Sequence, residues 1–129
     1  ADHVMRGFPR DVDGYAGSLA CAREVSAVTA ACMMMRKSLF QEIGGFNEHF
    51  FTAYQDVDLC LRLRARGLRI IHTPRAVVVH HESLSRQNYY DMVDRMLLLD
   101  QWESAIERGD PYYNRHLNPE RGDYSYVEP

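Results

Sequence analysis

Glycine stops are the strongest constraint on what this chain can fold into. Gly44-Gly45, Gly67 and Gly109 each follow a helical pattern. Glycine enters the left-handed conformation that ends a helix without the steric cost of a Cβ. The first pattern opens at Ser38-Leu39-Phe40-Gln41, which reads as a capping box, and Gly44 is the expected left-handed cap. The second opens at Asp56-Val57-Asp58, whose carboxylates suit the positive end of a helix dipole. Leu59, Cys60 and Leu63 give it an apolar face, and Asp58 with Arg62 forms an i,i+4 pair. The third runs from about Gln87 to Arg108, with Tyr89, Val93, Met96, Leu97 and the stretch from Trp102 to Ile106 at helical spacing.

Strand patterns lie between these stops. Residues 25–35 are apolar and uncharged, bounded by Glu24 and Arg36. Val25, Val28 and Thr29 suit a strand, while the alanines and methionines leave helix open. Leu68–His72 and Ala76–His80 read as two short strands split by Pro74. Val77-Val78-Val79 is β-branched throughout, the signature of a strand buried on both faces. Residues 1–24 are turn-rich, with one short helix expected near 15–20. Residues 110–129 form a tail ordered where its tyrosines dock. The expected fold class is α/β, a mixed α+β unit with a few strands, two short helices and one long amphipathic helix. Residues 1–129 read as a single partial domain, because Ala1-Asp2-His3 is not an initiator sequence.

Composition excludes several classes. At 129 residues and 46% hydrophobic content the chain can bury one core. A net charge of −3 argues against a nucleic-acid partner. No stretch of about 18 apolar residues exists to span a membrane. The three cysteines are widely spaced and form no C-x-x-C, so neither zinc ribbon nor disulfide framework is indicated. Reduced thiols are expected, with Cys32 and Cys60 as small core residues.

Four constellations could carry chemistry. Gln55-Asp56-Val57-Asp58 sets two carboxylates at a loop-to-helix junction, where an ionised aspartate can take a proton from an incoming hydroxyl. The same residues can equally cap the helix and pair with Arg62. Val79-His80-His81-Glu82 could place one imidazole on a metal, or end a strand in solvent. Asp11-Val12-Asp13-Gly14 fails as a calcium loop, since Ala22 stands where the twelfth-position glutamate belongs, and it reads as an Asp-Gly turn. Phe46, Phe50, Phe51 and Tyr54 could stack on a sugar, but two or more of them are expected in the core.

In order along the chain, these segments resemble the C-terminal half of a bacterial family 2 glycosyltransferase with the GT-A fold. Ser26 to Met33 with Arg36 and Phe40 opens the likeness. Gly44-Gly45-Phe46-Asn47-Glu48 is similar to the family's G-G-F-[DN]-E. Gln55 to Arg62 is similar to [EN]-D-x-D-L-x-x-R, with Gln55 where many members carry Glu or Asn. Gly67, Pro74, His80 and Ser85 follow. Asp110-Pro111-Tyr112-Tyr113-Asn114 with Leu117 resembles a D-P-Y-Y-N-P-N-L tail, although Arg115-His116 departs from it.

The resemblance implies an inverting transferase that moves a sugar from a nucleotide-diphosphate donor to a glycan or lipid-linked acceptor hydroxyl, in surface polysaccharide synthesis. It implies Asp56 as general base and Gly45, Phe46, Asp58 and Arg62 on the substrate side. It further implies His80 near a divalent metal (Mn or Mg) and a cytoplasmic location, or a peripheral one at the inner membrane. The nucleotide-binding half would lie upstream of Ala1. The expectation is therefore a fragment that is inactive alone and self-associates through apolar surface. The competing readings are a non-catalytic interaction module and a small metal-binding domain on His80, His81 and Glu82.

Overall fold

The computed structural model describes residues 3–9, 11–79 and 88–126. The elements in order are β1 (Arg23–Val25), α1 (Lys37–Glu42), α2 (Gln55–Ala65), β2 (Ile70–His72) and α3 (Asn88–Glu107), with 3-10 turns at Tyr15–Gly17 and Ala30–Cys32. Among the described residues the unit is mixed α/β, with two short helices and one long one, as the glycine stops imply. No described helix is long and apolar enough to cross a membrane.

Two of the stops build the same device. Gly44 has φ 86° and Gly45 φ 68°. The Gly44 amide donates to Gln41 and the Gly45 amide to Phe40, closing α1 as a Schellman motif. Gly67, at φ 76°, repeats it on α2, with Gly67 donating to Arg64 and Leu68 to Leu63. The start of α1 differs from expectation. Its N-cap is Arg36 and makes no side-chain capping bond, so Ser38 lies inside the helix and the capping box does not form.

The strands are shorter than the apolar runs that suggest them. β1 and β2 pair antiparallel, with Arg23 opposite His72, Glu24 opposite Ile71 and Val25 opposite Ile70. After Val25 the chain leaves the ladder. Thr29 caps the 3-10 turn through a bond from the Ala31 amide, and the Ala30 amide goes to the Asp56 carboxylate. Backbone donors diverted to side chains cannot serve a sheet, so residues 26–35 do not form the expected strand. Nor do residues 76–79, where Val79 is 73% exposed. The β-branched run has no described partner strand. His80, the end of that expected strand, lies outside the described residues.

The core is Ile43, Leu59, Cys60, Leu63 and Ile70, with Val25, Val28, Met33, Met35, Leu39 and Phe40 packed around it. It thus joins the end of α1, the apolar face of α2 and the β2 strand. Cys60 is core as expected, and burial pushes its thiol pKa up. Cys32 is not: it is exposed on the 3-10 turn. Of the four aromatics, Phe50 alone is fully buried, while Phe46 and Phe51 are exposed. Phe46 meets the edge of Phe40 at 5.3 Å.

The tail does dock through its tyrosines. The Tyr112 hydroxyl donates to Glu24, which also takes Arg69. That phenol bond, with the guanidinium, holds the Glu24 carboxyl below its ordinary pKa. Tyr15, Tyr124 and Tyr113 stack in series at 5.3 and 5.1 Å. Ser26 donates to Asp110, and Arg64 lies over the Tyr112 ring. Leu117 is buried and bridges to Tyr126. The change to Arg115-His116 leaves this docking intact.

Candidate active site

The site begins where the loop after α1 turns into α2. Tyr54, the N-cap of α2, is left-handed at φ 65° and makes no side-chain capping bond. For a residue with a Cβ this conformation costs about 1–3 kcal/mol. Asp56 follows two residues later. Its Oδ1 accepts from the Val57 amide and its Oδ2 from the Ala30 amide, both at 2.9 Å. An ionised carboxylate offers about four acceptor positions. Two are used to fix its orientation, and two remain. The side chain is half-buried.

Asp58 does something different. It is 2% exposed, and both its oxygens are taken. Oδ2 accepts from Arg62 Nε at 2.8 Å and Oδ1 from Trp102 Nε1 at 2.9 Å. Arg62 then donates to the carbonyls of Ile43 (2.8 Å) and Gly45 (2.7 Å). One guanidinium thereby ties α2 to the orphan carbonyls beyond α1, and the indole ties both to α3. Each polar group in this buried set has a partner, so the set rigidifies rather than destabilises.

The structure thus brings Gly45, Phe46, Asp58 and Arg62 together. A shallow open groove of about 580 Å³ is lined by Gly44, Phe46, Asn47, Glu48, His49 and Arg62. Asp56 does not line it; its carboxylate faces the 29–31 turn, and the two regions share α2 as their common support. His80, His81 and Glu82 lie outside the described residues. Among those described, no three His, Cys, Asp or Glu side chains could hold a metal ion. The expected metal ligand, His80, lies outside those residues.

Asp94 escapes the sequence reading altogether. It sits on α3 at 0% exposure and accepts from the amides of Phe51 (2.8 Å), Thr52 (2.7 Å) and Ala53 (2.8 Å). Burial raises its pKa, but the three amides outweigh that, and the carboxyl lies below its ordinary range. The Thr52 hydroxyl donates its one proton to Asp91 at 2.9 Å. Helical spacing points Val93 and Met96 inward. The buried stripe of α3 instead runs through Asp94 and Leu98, with Trp102 half-buried beyond, while Val93 and Met96 are exposed. A hydrophobic pattern counts an acid as outward, so the phase is read one residue out.

The unit thus has glycine-stopped helices, a carboxylate pinned at the start of α2 and, on a separate surface, an open turn-lined groove. The model of glycosyl transferase family group 2 matches residues 5–98, and the chain belongs to that family. An uncharacterized protein, y4gI, of Sinorhizobium fredii is 35% identical over 100% of the chain and 15% of its own length. The O-antigen biosynthesis protein RfbC of Myxococcus xanthus is 41% identical over 70% of the chain and 7% of its own length. The N-acetylglucosaminyl-diphospho-decaprenol L-rhamnosyltransferase of Mycobacterium tuberculosis is 38% identical over 49% of the chain and 20% of its own length. The chain thus spans a small part of these relatives. No solved structure matches it significantly.

Proposed function

We propose that the chain is the acceptor-side part of an inverting glycosyltransferase and that Asp56 is its general base. The observation that carries this reading is the pinned Asp56 carboxylate, held by two amides with acceptor positions to spare. An acceptor hydroxyl placed against it gives its proton to the carboxylate. The acceptor oxygen bonds to the anomeric carbon of the donor sugar as the bond from that carbon to the diphosphate breaks. The electron pair leaves with the diphosphate, and in-line geometry inverts the carbon. Asp58 and Arg62 act as a brace, since the bonds of Asp58 are already made. They hold the Gly45-Phe46 turn against α2, while the acceptor hydroxyl meets Asp56 at the helix start, on the side that faces the 29–31 turn.

The donor is a nucleotide-diphosphate sugar. The acceptor is a glycan or lipid-linked saccharide, in keeping with the O-antigen and the diphospho-decaprenol in the names of RfbC and the rhamnosyltransferase. The work belongs to surface polysaccharide synthesis on the cytoplasmic side. The donor half is contributed by sequence beyond this chain, so the 129 residues alone turn over no nucleotide sugar. Proton NMR of the product made by the protein expressed from its full coding sequence tests the reading. The expected glycosidic bond has the anomeric configuration opposite to that of the donor. A product with retained configuration contradicts it.

A further inference from the structure

The loop that delivers Asp56 to its position is held from outside its own helix, by α3. Three consecutive amides, Phe51, Thr52 and Ala53, converge on one fully buried carboxylate, Asp94. Immediately after them Tyr54 is forced left-handed, and two residues later stands Asp56. Strain of that kind persists only where the surroundings over-determine the backbone. Tyr54 lies between the three clamped residues before it and the first turn of α2, where the Asp58 amide donates to its carbonyl. A second tie from the same helix, Trp102 to Asp58, fixes α2 on the other side of Asp56. It falls where α3 departs from helical geometry, at φ −122°.

We propose that Asp94 is a positioning residue for the transfer reaction: by clamping residues 51–53 to α3 it fixes where the Asp56 carboxylate meets the acceptor hydroxyl. This rests on Asp56 being the base. Asp94 touches no substrate. Its effect is geometric, and displacement of a reacting group by about 1 Å costs on the order of 100-fold in rate. Asparagine at this position keeps one acceptor but turns an NH2 donor toward amides that are themselves donors, so at least one of the three bonds is lost and the loop shifts.

The test uses the protein expressed from its full coding sequence, assayed well below its melting temperature. Three variants are compared: Asp94→Asn, Thr52→Val and Asp56→Asn. Asp94→Asn is expected to lower kcat by about 10- to 100-fold per folded molecule with donor KM unchanged, and to move the acid limb of the pH–rate profile. Thr52→Val removes the side-chain tie to Asp91 while leaving the amide bonds, and is expected to lower kcat two- to five-fold, again without change in donor KM. A folded Asp94→Asn enzyme with kcat within two-fold of the parent and an unmoved pH profile overturns the proposal. If Asp94→Asn does not fold, Asp94→Glu, which keeps both acceptor oxygens but moves them by one methylene, is measured in its place: a kcat lowered with donor KM unchanged supports the proposal, and a kcat within two-fold of the parent overturns it. Activity retained by Asp56→Asn overturns the base assignment instead, and with it this proposal. Loss in Asp56→Asn with no effect at Asp94 or Thr52 leaves the base standing and removes the clamp alone.

Discussion

Single residues in this chain divide cleanly by what their oxygens are doing. Asp94 and Asp58 are buried with their partners in place, whereas Asp56 keeps acceptor positions to spare. That difference makes Asp94 a stability residue with a definite pH signature. Its folded pKa lies below the ordinary 3.8, so its contribution is fully present above that value and is lost as the pH falls through the lower, folded value. Acid titration followed by circular dichroism is therefore expected to show a loss of stability below about pH 3.8 that is shallower in Asp94→Asn. The variant itself costs about 2–3 kcal/mol near neutral pH, because buried amides lose their acceptors. Identical acid transitions in the two proteins would contradict the clamp as a stabilising device. None of this is legible in the sequence. An aspartate among Met92, Val93, Arg95 and Met96 looks like one more solvated helix residue, and only the three amides of a loop some 40 positions away show otherwise.

At the scale of elements, local rules succeed where a single residue decides and fail where a distant partner does. The helix ends are fixed by glycines whose φ is positive, and these are readable one position at a time. Gly44→Ala is expected to destabilise by about 1 kcal/mol in urea unfolding, entirely from backbone strain at φ 86°, because an added Cβ meets nothing within 4 Å. No change in the midpoint would show that the Schellman turn is not what stops α1. The start of α2 is equally local, since Asp56 and Asp58 in its first turn are ordinary helix-start chemistry. The strands are not local. Residues 26–35 have strand composition, but the Ala30 amide belongs to Asp56, and β2 offers only three residues to pair with. Val77-Val78-Val79 has the strongest strand propensity in the chain and stays outside any described sheet, because propensity without a partner makes no ladder. The candidate site is therefore half legible: the junction that carries Asp56 is written locally, while the α3 ties that hold it are not.

The whole molecule is a small core with much apolar surface left over. Met34 is 98% exposed, and Met92, Met96 and the valines at 77–79 are also in solvent. Apolar side chains in solvent favour association where a second copy can cover them. The 129-residue chain is expected to self-associate at about 100 μM, read by light scattering as a mass above 15.0 kDa. A monodisperse monomer at that concentration would contradict this. The family assignment is independent of that outcome, since it rests on the match over residues 5–98. What the assignment leaves to experiment is the chemistry. The most direct test is the turnover of Asp56→Asn in the protein expressed from its full coding sequence, measured beside its urea midpoint. The substitution keeps the shape and removes the proton acceptor. The expected result is a fall in kcat of about 100-fold or more in a protein that still folds, its midpoint lowered by the one amide bond that asparagine gives up; turnover close to that of the parent would show that some other group takes the proton.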